Sequence, residues 1–206
     1  MMCKMTVLLA GCALAATLAG CRVHVDKDAN GKEKTVQVDT PLGGVHVNTD
    51  QTTALDLGLP IYNGSEVVKD KDGNKSADIH MGFGEWQLHV RAVSYRTSDP
   101  RDKVVAFYKN ALGRYGDVLT CQGNAPVGTP TITKEGLTCA ENGKKPQFEF
   151  NGKPNGVDLS DGLQLKAGSK RHQHIVGFPN ANDSYTRFEL VSIDLPASVD
   201  SSSSSD

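Results

Sequence analysis

His172-Gln173-His174 has the most direct claim on chemistry in this sequence. In a strand, side chains two residues apart point to the same face, so both imidazoles would sit on one surface as the start of a zinc or copper site. A third ligand has to come from elsewhere, and His80, His89, Asp78 and Glu85 are the available donors. The competing reading is two solvated histidines on the open face of an antiparallel strand. A second pattern, Asp26-x-Asp28-x-Asn30-Gly31, matches the first half of a calcium loop. The position that should supply a bidentate glutamate is Gln37, so turn chemistry is the expectation there. The similar run Asp70-Lys71-Asp72-Gly73-Asn74 is expected to reverse the chain between strands in the same way.

Catalytic signatures are missing. The sequence holds no G-x-S-x-G elbow, S-x-x-K, H-E-x-x-H or phosphate-binding glycine loop, and its carboxylates are not paired by spacing. No enzyme and no cofactor is expected. The aromatics Trp86, Tyr95, Phe107, Tyr108 and Tyr115 can line a ligand groove, but their positions fit better with filling a helix-on-sheet core. Over 206 residues, 22 Lys and Arg stand against 24 Asp and Glu, a net charge of −2. That balance lacks the basic face that nucleic acid requires.

The elements that must position these residues begin after an address. Lys4 precedes the charge-free apolar run from Thr6 to Ala19, which is too short to span a bilayer and has the length of a secretory signal. It ends in Leu18-Ala19-Gly20-Cys21, which resembles the lipobox of bacterial lipoproteins. The resemblance implies a diacylglycerol on the Cys21 sulfur, cleavage just before Cys21, and attachment to the bilayer. Acyl chains contribute roughly 0.8 kcal/mol per buried CH₂, so several chains make release negligible. Arg22, rather than aspartate, after the cysteine implies an outer-membrane destination where the cell has two membranes. The expected partners are the lipid bilayer through Cys21 and an envelope protein.

With that assignment Cys3 and Cys12 leave with the leader and Cys21 carries lipid, so Cys121 and Cys139 remain in an oxidising compartment. A disulfide is the default. A redox-active pair or half a metal site is the alternative, although the spacing is far from CxxC.

Residues 22–59 contain no aromatic, and the runs VHVD, VQVD and VHVN, separated by turn residues, predict a three-stranded valine meander. This meander either packs on the rest of the chain or remains a loose stalk. Fully extended, it would reach at most about 125 Å. Beyond it, long strands are expected near 77–83 and 86–96, with Trp86, Leu88, Val90, Ala92 and Ser94 on one face. Asp99 as N-cap, Pro100 at the first helical position, and the helical spacing of Val104, Tyr108 and Leu112 predict one helix over about 100–112, stopped by Gly113. Further strands are expected near 117–121, 129–133, 147–150, 163–166, 171–178 and 185–195. The fold class is therefore α+β, a mainly antiparallel sheet with one principal helix packed on one face. The expected organisation is a signal peptide (1–20), a lipidated N-terminus and β-rich stalk (21–59), an α+β domain (60–195) and a disordered serine-rich tail (196–206).

Leu59-Pro60-x-Tyr62-x-Gly64, Tyr95-Arg96-Thr97-Ser98-Asp99-Pro100 and Lys103-Val104-Val105-Ala106-Phe107-Tyr108-Lys109 together resemble a module of uncharacterised exported bacterial proteins, spanning about residues 55–195. That resemblance carries no activity, ligand or catalytic residue. The expected function is a membrane-anchored lipoprotein acting as a non-catalytic structural or protein-interaction module of the cell envelope. The alternative is a small-ligand or metal-binding envelope lipoprotein.

Overall fold

The computed structural model describes residues 22–27, 33–69, 75–139, 162–180 and 184–196. The leader and Cys21, Asp28, Asn30 and Gly31 of the calcium-like run, residues 70–74, the expected strand at 147–150 and the serine-rich tail lie outside the described residues.

Among the described residues, alternating apolar and polar residues produce an antiparallel sheet of 11 strands with one α-helix. The strands are β1 (Arg22–Lys27), β2 (Glu33–Thr40), β3 (Gly43–Asn48), β4 (Glu66–Val67), β5 (Ser76–Phe83), β6 (Trp86–Thr97), β7 (Leu119–Gln122), β8 (Ala125–Pro126), β9 (Leu163–Gly168), β10 (His172–Phe178) and β11 (Thr186–Asp194), with α1 (Arg101–Leu112) between β6 and β7. Their order across the sheet is β1-β2-β3-β5-β6-β11-β10-β9-β7-β8, and β4 also pairs with β6. The valine meander forms as its alternation predicts, and β3 is hydrogen-bonded to β5 from Gly43↔Phe83 to Asn48↔Asp78. Packing on the rest of the chain, not a loose stalk, is therefore what the strand pairing shows. Residues 129–133 form bends rather than a strand.

Strand β6 carries most of the architecture. On one side it pairs with β11, from Thr97↔Thr186 to His89↔Asp194. On the other it pairs with β5 and, further along, with β4. Because β4 and β5 are both antiparallel to β6 on the same side, they run in the same direction.

Alternation gives β6 two apolar faces. Val93 and Tyr95 face α1 and join Phe188, Leu190, Val176, Phe178, Leu165 and the helix residues Val104, Tyr108 and Leu112 in the main core. Phe188 is its hub, stacked on Tyr95 at 5.7 Å and tilted against Tyr108 at 5.4 Å. Aromatic pairs of this kind are worth about 0.5–1.5 kcal/mol beyond the area they bury. The segment before β4 closes the core with Ala54, Leu57 and Leu59, tied down where the Ala54 amide donates to the Tyr95 hydroxyl (3.3 Å) and the Tyr108 hydroxyl donates to the Pro60 carbonyl (3.1 Å). On the opposite face Leu88, Val90 and Ala92 meet Ile79, Met81, Ile175, Val191 and Ile193. The face expected from Trp86, Leu88, Val90 and Ala92 is therefore real, but the helix lies on the other one. Trp86 does not enter the helix-side core. It is 37% exposed beside Phe83 at the β5–β6 hairpin, where Gly84 supplies the positive φ (61°) that a two-residue turn requires.

The helix boundaries differ from expectation for two physical reasons. Asp99 does not cap: its carboxylate accepts a 2.6 Å bond from the Tyr62 hydroxyl, so Pro100 takes the cap position with no side-chain bond and the helix begins at Arg101. Gly113 has right-handed geometry, and the chain continues through a 3₁₀ turn, Gly113–Tyr115, to Gly116, whose φ of 121° is the glycine-dependent stop.

Cys121 and Cys139 are joined, with Cα atoms 5.6 Å apart, and both sit with Leu119 and Leu137 in a separate small core. The bridge closes a loop of sequence separation 18. Constraining such a loop in the unfolded chain is worth about 3 kcal/mol. Replacing both cysteines with serine is expected to lower the thermal midpoint by about 6–12 °C in calorimetry, and a shift under about 2 °C would show that the bridge bears little load.

Candidate functional site

Five strands carry a polar side chain between two apolar ones: Val23-His24-Val25, Val36-Gln37-Val38, Val45-His46-Val47, Ile79-His80-Met81 and Leu88-His89-Val90. Strand register then does something the triplets alone do not specify. It sets His24 opposite Gln37, Gln37 opposite His46, His46 opposite His80, His80 opposite His89, His89 opposite Asp194, and Asp194 opposite His172. Directly opposed residues share a sheet face. One transverse row therefore collects five of the six histidines of the chain. It lies on the same face as α1, on strands at and beyond the edge of the helix-side core.

Carboxylates on that face accompany most of the row. Asp26 lies 3.3 Å from His24 Nε2, Asp39 lies 3.3 Å from His46 Nε2, Asp78 lies 2.6 Å from His89 Nε2, and Asp194 lies 2.8 Å from His172 Nδ1. Gln37 donates to the second oxygen of Asp39 at 2.6 Å. Arg91 joins Asp194 at 3.4 Å and also donates to the Asp56 carbonyl. His80 is the exception: among the described residues it meets only rings, with His46 at 6.4 Å and His89 at 5.3 Å between centroids. Gly44 and Gly82 occupy the adjoining row. A Cβ at Gly44 would stand 3.2 Å from the Asp39 carboxylate and 3.6 Å from His46 Nε2, while beside Gly82 the nearest atoms are 3.9 Å away. Glycine there leaves the flank of His46 and His80 open.

His172 and His174 share a face, as their spacing requires, but have different surroundings. His172 is exposed and paired with Asp194. His174 lies one row away beneath Tyr115, whose ring stacks on it at 3.7 Å, while the Tyr115 hydroxyl donates to the Gly58 carbonyl at 2.5 Å. Of the possible third ligands, Asp78, His80 and His89 gather with one another, across β6 and β11 from His172. Glu85 stays in the β5–β6 turn. Among the described residues, no three His, Cys, Asp or Glu side chains converge as they would around a bound metal. Asp26 bonds His24, and Gln37 lies within the row. Of the aromatics considered for a groove, Tyr95 and Tyr108 are buried in the core, Phe107 packs edge-on against Tyr62, and Tyr115 covers His174.

The sequence reading missed His24 and His46 as members of any cluster. The signal was available in the repeated triplet; the register that aligns the triplets was not. No protein-family model, curated protein or solved structure matches the chain.

Burial pushes the His174 imidazole below its ordinary value, with a backbone group of Leu57 and the Asp194 charge pulling the other way. A folded state that resists protonation binds fewer protons than the unfolded chain, so this group's contribution is full above about pH 6.5 and is lost as pH falls below that toward the lower folded value. His174→Phe keeps a ring for Tyr115 to stack on and removes the titration. Thermal midpoints measured from pH 7.5 to 5 are expected to fall less for His174→Phe than for the wild type; parallel curves would refute the assignment.

Proposed function

We propose that the chain is an exported lipoprotein, anchored through acylated Cys21 in the cell envelope, whose sheet domain acts there as a non-catalytic structural or protein-interaction module. The observation that carries the anchor is Leu18-Ala19-Gly20-Cys21 placed directly after the apolar run that ends at Ala19. The Cys121–Cys139 bridge supports it, because disulfides persist outside reducing compartments. The strand pairing adds a distance argument. β1 starts at Arg22, the residue after the anchor, so residues 22–27 and 33–48 are consumed by sheet and do not act as a spacer. On this reading the β1 side of the sheet is held at the bilayer surface, and the proximity limits its partners to components of the same membrane or of the layer next to it.

A module role is supported by how the polar groups are deployed. The charged and imidazole side chains lie along a sheet face, each histidine but His80 and His174 bonded to its own carboxylate, which is an arrangement for recognition over an extended surface. A concavity of about 280 Å³ between the start of α1 and β11 is lined by Asp99, Arg101, Tyr185 and Arg187, with Arg101 already donating to the Phe178 carbonyl at 2.8 Å.

The anchor is tested by expressing the full chain and Cys21→Ala in a bacterial host with labelled fatty acid. The wild type is expected to incorporate label and sediment with membranes, and Cys21→Ala to lose both. Unchanged membrane association of the variant would sink the proposal.

A further inference from the structure

The centre of the histidine row has a geometry that solvated surface residues do not need. His80 on β5 and His89 on β6 are directly opposed, with ring centroids 5.3 Å apart and planes inclined by 49°. An ion held about 2.0–2.1 Å from one nitrogen of each ring lies about 3.2 Å from each ring centre, and a tetrahedral angle between them separates the centres by about 5 Å. The observed centroid spacing of 5.3 Å matches the separation that two imidazoles sharing one ion would have.

The orientation of His89 points the same way. Its Nε2 faces the Asp78 carboxylate at 2.6 Å, with both side chains about one-third exposed. A histidine that donates one ring N–H to a carboxylate has its tautomer fixed, so its other nitrogen carries the lone pair, the arrangement found behind most metal-binding histidines. His80 brings an exposed ring with no hydrogen-bond partner among the described residues, and Gly82 keeps the space beside it clear. His46, oriented by Asp39, stands next in line at 6.4 Å from His80.

We propose that His80 and His89 form a surface site for a divalent transition metal of the imidazole-preferring class, such as Zn²⁺ or Cu²⁺, with Asp78 orienting His89 and water filling the remaining positions. This is a different place from His172 and His174, and it does not depend on lipid anchoring. Two imidazoles make a site of modest affinity, suited to exchange with a partner's donor groups and not to a permanent structural ion, which takes four protein ligands. Affinity is expected to favour Cu²⁺ over Zn²⁺.

The test is calorimetric titration of the untagged full chain with Zn²⁺, paired with thermal midpoints with and without metal. One equivalent is expected to bind and to raise the midpoint. His80→Ala and His89→Ala are each expected to weaken binding at least about tenfold, and Asp78→Asn by about 10–100-fold. The double variant H172A/H174A is expected to bind as the wild type does. The variants at His80, His89 and Asp78 should keep the wild-type midpoint without metal to within a few degrees, which separates loss of ligand from loss of fold. Absence of binding by the wild type, retention of binding when His80 and His89 are both replaced, or its loss in H172A/H174A would each overturn the proposal.

Discussion

The ladder between β6 and β11 is the constraint on which the rest of this structure depends. It joins residues about a hundred positions apart, from Thr97↔Thr186 to His89↔Asp194, and closing such a distance costs chain entropy before any contact rewards it. What offsets that cost lies on both faces at once. Toward the helix, Tyr95 stacks on Phe188 across the ladder; on the other side, Val90 and Ala92 meet Ile193 and Val191. A slip of one residue would exchange the two faces along the whole ladder, sending Tyr95 and Phe188 away from Tyr108. The same register also brings Asp194 between His89 and His172. Core packing and the polar row are thus two results of one alignment.

A single sheet face therefore has two characters. Where α1 covers it, β6, β11, β10 and β9 offer Val93, Leu190, Val176 and Leu165. A few residues along, and across toward β1, the same face bears imidazoles and carboxylates. On the reverse face the order is inverted, with Val47, Ile79, Met81 and Leu88 forming the apolar side of the N-terminal strands. This division explains why strands with similar alternation serve opposite ends of the molecule. Period-two patterning fixes which residues share a face, and tertiary contact decides which face is covered.

Much of this was legible in the residues themselves. The valine alternation in β1–β3, the helix from Val104, Tyr108 and Leu112, and the Cys121–Cys139 bridge follow from pattern and from cysteine count. The cap did not, because Tyr62, distant in sequence, takes the carboxylate that would have closed the helix start. The histidine row was half legible: each triplet can be read, but β3 and β5 are separated by a 27-residue connection, Thr49–Lys75, whose length says nothing about register. Trp86 was misplaced because hydrophobicity predicts burial on average, whereas a residue at a hairpin tip has little of the sheet around it.

The first strand has its own consequence for how the molecule behaves at high concentration. Among the described residues β1 pairs with β2 alone, all six of its residues are exposed, and no other described strand lies along its outer edge. Such a border is a template on which further chains can polymerise. Here it is short, it carries Arg22, Asp26 and Lys27, and its register breaks between Asp26 and Lys27. Charge and a bulge are the devices that stop a sheet from growing, since an added strand would have to desolvate the first and could not follow the second. Molecules crowded side by side would then remain separate particles and not fuse into a common β-structure.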